Sequence, residues 1–429
     1  MKTSFFWFRR DLRLYDNKAL YKALNSDALL IPIFIFDTDI TDKLPKNDAR
    51  INFIYQRLLA LNHQLKKTGR SVQIVKGKPR EIWTKLIKEH QIEAVYCNKD
   101  YEPNAIERDA SIKNILKENN IAFIQEKDQV IFEENEVIKD DGKPYTVYTP
   151  YKNKWLKKLA VTKVESFPSE KLLKNISKKT HPFPTLESLG FEKSSIQVKT
   201  PNFSFLSEYD SIRNFPFIDK TSYLSPHLRF GTVSIREILK KAQETNVTFL
   251  NELIWREFFM QILFHFPRVV NENFKAKYNR IEWRNNEEEF KNWCNGTTGF
   301  PMVDAGMRQL NKTGYMHNRV RMITAGFLCK HLLIDWKWGE AYFAEKLLDF
   351  ELASNNGNWQ WASGTGCDSA PYFRVFNPSE QLKKFDKDLK YIKKWVEDFD
   401  ELSYPLPIVD HKTARIRAIE TYKKGLNGF

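Results

Sequence analysis

The first 130 residues alternate short apolar runs with amphipathic stretches. "SFFWF" (4–8), "ALLIPIFIF" (28–36), "SVQIV" (71–75), "IEAVYCN" (92–98) and "IAFIQ" (121–125) are rich in β-branched and aromatic residues. Most are apolar without alternation, the mark of strands buried on both faces. Between them, 48–67, 79–90 and 104–119 carry apolar residues at helical spacing with charged outer faces. Strand–helix alternation predicts a parallel, doubly wound sheet. No GxGxxG follows the first strand, so the pattern yields a fold without the usual dinucleotide fingerprint.

Periodicity weakens from 131 to 204, where Lys, Pro and Ser accumulate; between 151 and 180 there are nine Lys against two Glu. This reads as an interdomain connection over the surface, its charge either a solvated face or part of an electrostatic footprint. From about 205 strand signals vanish. Helices are predicted over 233–243, 250–266, 303–314, 318–336 and 339–354, with the stretch "ASNNGNWQWASGTG" (353–366), rich in Gly and amides, read as a loop among them. The expected organisation is an α/β domain at 1–130, a connection at 131–204 and an all-α domain at 205–429.

Composition narrows the function. The chain has 429 residues, 42% of them hydrophobic, enough for a substantial core, and a net charge of +14 that favours a polyanionic partner. Its four cysteines, Cys97, Cys294, Cys329 and Cys367, are widely spaced and form no CxxC, which suits a reducing cytoplasm. The apolar run before Arg9 and Arg10 is too short for a signal peptide, and no 18-residue apolar span follows.

Four stretches could carry chemistry. In "TSYLSPHLRFG" (221–231), Thr221, Ser222 and Ser225 gather hydroxyls at a helix start, with Ser225 as N-cap before Pro226; the arrangement suits either plain capping or a phosphate. Arg321 in "HNRVRMITAG" and Asp349 in "LLDFELASNNG" are charges among apolar neighbours, and such charges pair either to orient a ligand or to stabilise packing. Asn318 and Met322, four apart, share one helix face. Trp255, Trp283, Trp336, Trp359 and Trp361 either fill a core or, with Asn and Arg around them, stack on flat rings.

Taken together, "FWFRRDLRLYDNKAL" (6–20), "NELIWREFF" (251–259), "GFPMVDAGMRQLNKTGYMHNRVRMITAGFL" (299–328) and "NNGNWQWASGTGCDSAPYFRVFNP" (355–378) resemble the photolyase/cryptochrome flavoproteins, most closely the microbial class I photolyases of cyclobutane pyrimidine dimers. The resemblance implies an α/β domain followed by a helical FAD-binding domain. It implies FAD contacts from Tyr209, Thr221, Ser222, Tyr223, Leu224 and Ser225, and Arg321 and Asp349 as an ion pair beside the flavin ring. Asn355 would face flavin N5, and Glu351 stands where relatives often have Asp. Trp359, Trp336 and Trp283 would conduct electrons from flavin to surface. Trp255 and Trp361 would hold a flipped pyrimidine dimer, Glu252 would hydrogen-bond it, and Asn318 and Met322 would line its pocket. Arg213, Arg319, Arg374 and Gln381 would contact DNA.

The implied activity is light-driven electron transfer from reduced FAD to the dimer in UV-damaged DNA. Alternatives are a cryptochrome photoreceptor and a (6-4) photolyase, whose histidines are replaced here by Asn318 and Met322. A second, antenna chromophore in the N-terminal domain is possible. Ala105 stands in "NKDYEPNAIERDA" (98–110) where folate binders carry an acid, which disfavours folate and leaves a deazaflavin, another flavin, a lumazine or none. A cytoplasmic monomer is expected.

Overall fold

The computed structural model describes residues 2–427. Strands β1 (Thr3–Phe8), β2 (Leu29–Phe36), β3 (Gln73–Lys76), β4 (Ile92–Asn98) and β5 (Ala122–Glu126) form one parallel sheet in the order β3-β2-β1-β4-β5. Alternate side chains of β1 serve different layers, because successive residues of a strand point to opposite faces. Phe6 and Phe8 pack with Leu20 and Leu24 of α1 (Lys18–Leu24) and with Leu61 and Leu65 of α2 (Ala49–Lys66). Phe5 and Trp7 pack with Trp83 and Leu86 of α3 (Pro79–Glu89) and with Ile112 and Leu116 of α4 (Pro103–Glu118). Helices on both faces explain the apolar strand runs.

Two compact units emerge from the contacts along the chain. The first takes the chain up to Glu136, Leu156–Pro201 and Tyr223–Glu244; the second takes Val137–Trp155, Asn202–Ser222 and Thr245 onward. This division differs from the three consecutive spans expected from periodicity. Within 131–204 a helix α5 (Tyr148–Val161) forms, and the chain changes unit inside it. Downstream, Ile176, Leu186, Leu189 and Phe191 enter the core of the sheet unit, and Ile176 bridges Leu30. Their spacing follows neither period, so the sequence reads as linker although the residues are buried. Helix α6 (Ile235–Thr245) also begins in the first unit, anchored where Leu12 N–H donates to Phe230 O at 3.0 Å. At Gly231 (φ +61°) a Cβ would lie 2.0 Å from Arg10 O, so only glycine permits that approach.

The second unit is helical: α7 (Val247–His265), α8 (Pro301–Thr313), α9 (Asn318–Gly326), α10 (Trp336–Lys346), α11 (Leu352–Ser363), α12 (Pro378–Phe385) and α13 (His411–Asn427). Three expectations need correction. The helix predicted over 318–336 ends at Gly326, passes through a π-helical turn at Phe327–His331, and breaks at Leu333 (φ +51°). The helix predicted over 339–354 is interrupted between Lys346 and Leu352, where Leu347 and Glu351 are extended. The stretch at 353–366, predicted as a loop, is α11 as far as Ser363, with Gly364 (φ +85°) ending it. Its amides misled because they are buried. Asn356 and Gln360 donate to Val269 O, and Gln360 Oε1 accepts from Phe274 N, so these side chains satisfy a neighbouring irregular backbone.

Gly357 lets α11 settle on α7: a Cβ there would lie 2.2 Å from Phe259 Cδ1. Gly357→Ala would gain about 1 kcal/mol of helix propensity. Overpacking costs ~1–3 kcal/mol, so a lower melting temperature is the expected outcome. A rise in melting temperature would show that the helices separate freely. No helix among the described residues is long and apolar enough to cross a membrane.

Candidate functional site

The near-continuous apolar run of α7 buries most of the helix and leaves Glu252 and Trp255 partly exposed on one turn. Asn246 starts the helix by accepting from the backbone N–H groups of Thr248 and Phe249. Glu252 Oε1 accepts from Arg213 at 2.6 Å, in a pair whose side chains are 33% and 23% exposed. The Arg213 guanidinium also lies 5.3 Å from the centre of the Tyr209 ring. Burial, with the charge of Glu252 adding to it, raises the Tyr209 hydroxyl above its ordinary range and keeps it protonated.

Arg319, on α9, donates to Asn214 Oδ1 at 2.6 Å and lies over Phe385 at 4.6 Å. Its guanidinium is held below the usual value by burial, then by the positive charges of Arg213 and Arg374. Three arginines from separate segments therefore converge, and Arg319 Nε is buried without a hydrogen-bond partner. Positive charge gathered in this way attracts anions, less so at Arg213, which Glu252 already neutralises. Arg374 itself is exposed, and Gln381 is half-buried on α12.

His317 caps α9, its Nδ1 accepting from Arg319 N at 3.2 Å. Burial, with Arg319 and Arg321 nearby, lowers its pKa to about 4, so the ring is neutral at physiological pH. Because the folded value lies below the unfolded one near 6.5, the stability involved is complete above that pH and is lost as pH falls towards 4. His317→Asn keeps a capping side chain that does not titrate. It should flatten the decline of melting temperature between pH 6.5 and 4.5; an unchanged decline would place the titration elsewhere. Asn318, next to the cap, is exposed, and Met322 Sδ receives Arg319 at 3.6 Å one turn on.

Arg321 forks onto Asp349 at 3.2 and 2.9 Å and donates through Nε to Met316 O. Asp349 sits in the break before α11 rather than inside a helix. Glu351 pairs with Arg256 at 3.0 Å and accepts from Ser354 Oγ at 3.0 Å. Asn355 is buried, and its Nδ2 donates to Glu340 O and Glu340 Oε1, both at 3.0 Å. Its Oδ1 has no partner among the described residues, so it is an acceptor facing no protein donor. Burial raises the Glu340 carboxyl, and the Asn355 bond partly offsets this.

Trp359 and Trp336 lie in the core of the second unit, and Trp283 packs against the same cluster from a half-buried position. Trp359 meets Phe343 edge-on at 4.9 Å and Trp293 at 6.0 Å. The Trp336 indole N–H donates to Asn273 Oδ1 at 2.9 Å, and Asn273 is itself held by Asn279. Trp361 is half-buried on α11. One face of Trp255 is covered by Tyr148.

Tyr209, Thr221 and Ser222 are half-buried members of the second unit, and Ser222 O accepts from Asn202 N at 2.9 Å. Tyr223 (φ +48°), buried Leu224 and exposed Ser225 belong to the first. The expected cap needs correction here. Ser225 is the first residue of a five-residue helix, Ser225–Arg229, entered from Leu224 without a side-chain cap. One turn carries little of the macrodipole that helps a helix N-terminus hold a phosphate.

In the first unit, the ends of β1 and β4 are filled by their own charges. Arg10 pairs with Asp100 at 3.1 Å and Glu102 at 3.2 Å, Arg9 with Asp109, and the Arg9 and Arg108 guanidiniums each lie 5.1 Å from the centre of the Trp7 ring.

Glu340, Asn273, Arg256 and Tyr148 escaped the sequence reading. The first three look like solvated polar residues of helices and turns, and Tyr148 sits in a stretch without period.

Residues 4–171 match the DNA photolyase family, and residues 249–403 match the FAD binding domain of DNA photolyase. The deoxyribodipyrimidine photo-lyase of Escherichia coli is 36% identical over the full length of both chains, and that of Synechococcus 34% identical over 95% of this chain and 93% of the relative. Among solved structures, a class III photolyase from Agrobacterium tumefaciens superposes with a TM-score of 0.84 at 31% identity over 100% of this chain and 98% of that one. An archaeal photolyase from Sulfolobus tokodaii, solved with two FAD molecules, gives 0.83 at 33% identity over 98% and 100%. A Synechocystis cryptochrome shares the fold at 23% identity, with a TM-score of 0.84 over 98% of this chain and 99% of that one. With matches of this extent behind it, the chain belongs to the photolyase/cryptochrome family of FAD-binding proteins.

Proposed function

We propose that the protein repairs cyclobutane pyrimidine dimers in UV-damaged DNA, using light and reduced FAD. The observation that carries this reading is Glu252 and Trp255 on one turn of α7, beside the convergence of Arg213, Arg319 and Arg374. A carboxyl group and an aromatic ring suit a pyrimidine pair, and the arginines suit the phosphates on either side of it.

When bound, FAD supplies the light-excited electron donor. In the second unit, Tyr209, Thr221, Ser222, Arg321, Asp349, Glu351 and Asn355 are proposed to hold it. The Asn355 Oδ1 fits an N–H donor of the flavin ring, because Glu340 has already taken the amide N–H bonds. The Arg321–Asp349 fork offers a fixed dipole to a charged ring.

Extruding a damaged pair costs a few kcal/mol, and stacking returns about 1–3 kcal/mol per base. Trp255 and Trp361 are the rings for that role. Glu252 would hold the flipped pair by hydrogen bonding, with Arg213 supplying positive charge beside the electron-rich rings. Asn318 and Met322 line the pocket in this reading. His317 argues against the (6-4) chemistry: a neutral ring whose Nδ1 is engaged in capping does not supply a proton at pH 7.

The test is direct. Chemically reduced protein is mixed with an oligonucleotide holding one thymine dimer and illuminated with blue or near-UV light while thymine absorbance is followed. Light-dependent recovery is expected with this substrate and not with a (6-4) substrate. No recovery from FAD-loaded, photoreducible protein would favour a photoreceptor. For DNA binding, Arg374→Ala should weaken affinity and reduce the slope of log K against log salt by about 0.9, one phosphate contact. An unchanged slope would remove Arg374 from the interface.

A further inference from the structure

Trp255 has two faces, and Tyr148 is laid flat on one of them: ring centroids are 3.6 Å apart and the planes differ by 6°. That is a full stack, rare among aromatic pairs, which favour offset or edge-on contact. Two further bonds fix Tyr148. Its hydroxyl donates to Asn251 O at 2.9 Å, and its backbone N–H donates to Asp368 Oδ2 at 3.0 Å. Asn251 O is the carbonyl that a regular helix pairs with the N–H of Trp255, four residues on. One tyrosine therefore grips both the ring of Trp255 and the helical turn that carries it and Glu252. On the same indole, Phe259 is tilted by 30° at 5.5 Å, and Phe258 meets it edge-on at 5.6 Å. Trp255 is still partly exposed.

Resting on the repair reading above, we propose that Tyr148 is a positioning residue for lesion recognition. It holds Trp255 in one plane, so that a flipped pyrimidine pair meets a rigid aromatic surface instead of a ring free to rotate. Ordering that ring in advance spares the ordering cost at the moment of binding. The hydroxyl keeps its proton because burial and the nearby Glu252 charge both raise its pKa, so the bond to Asn251 persists across the physiological range. The effect falls on discrimination between damaged and intact DNA, because intact bases remain stacked in the duplex and never reach Trp255.

The experiment uses FAD-loaded full-length protein in the dark and two duplexes, identical except for one thymine dimer. Dissociation constants are measured for both, along with repair per bound dimer under light. Tyr148→Leu removes the flat ring and should weaken dimer binding about tenfold while leaving undamaged DNA within twofold. Tyr148→Phe keeps the ring, loses the hydroxyl bond and should restore most of the selectivity. Tyr148→Met, unbranched and without a plane, is the second variant should the leucine form fail to take up FAD. Equal selectivity in wild type and in a folded leucine or methionine variant would overturn the proposal. So would parallel losses for both duplexes, the pattern of a merely structural residue. A wild type that does not prefer the dimer would instead sink the repair reading on which the proposal rests.

Discussion

Trp336→Phe is expected to slow light-driven reduction of oxidised FAD by at least tenfold and to leave repair by chemically reduced protein unchanged. Trp336 is buried in the same core as Trp359, with half-buried Trp283 packed against that core, so the three proposed carriers share one cluster. Phenylalanine keeps the apolar contact but is far harder to oxidise than indole, so it interrupts a hopping path without emptying the space. The substitution has a second, separable effect. It removes the donor to Asn273 Oδ1, and an orphaned buried acceptor costs about 1–3 kcal/mol. A melt taken beside the photoreduction trace separates the two: lower stability with normal photoreduction would mean that electrons reach the flavin by another route. Loss of both photoreduction and repair would mean that the site itself has been damaged.

Glu252→Ala should lower the yield of dimer repair about tenfold, equivalent to ~1.4 kcal/mol of barrier. FAD content should stay constant, since Glu252 bonds to Arg213 and is not among the proposed flavin contacts. The alanine variant also frees Arg213, so DNA affinity is expected to fall less than repair. Glu252→Gln separates charge from hydrogen bonding: it retains a donor and acceptor of the same size and should fall between wild type and alanine. Repair unchanged in the alanine variant would withdraw the role assigned to Glu252.

The fold of the first unit was largely legible. Five strands lie within two residues of the predicted runs, because a strand buried on both faces must be apolar at nearly every position. Long helices were legible too, α8 because burial on one face imprints a period and α7 because an apolar run of that length suits a helix better than a strand. Elements failed where burial came without one. Asn356 and Gln360 are interior residues of α11 that read as loop because they satisfy irregular backbone at Val269 and Phe274. Ile176 and Phe191 are core residues in a stretch that reads as linker.

The candidate site divides in a similar way. Its residue types and their order along the chain were open to reading, as were local pairs such as Asn318 with Met322, because helical geometry alone sets them. The partnerships were not. Arg213 with Glu252, Arg321 with Asp349, Asn355 with Glu340 and Tyr148 on Trp255 join residues 15 to 107 positions apart. A charge or an amide shows no period that names its partner, and its cost or gain depends on what burial places opposite it. The sequence by itself therefore determined the family, the sheet and the chemical alphabet of the site. Only tertiary structure decided which acceptor Asn355 leaves open, which face of Trp255 is covered, and that three arginines share one place, because those outcomes follow from desolvation and distance.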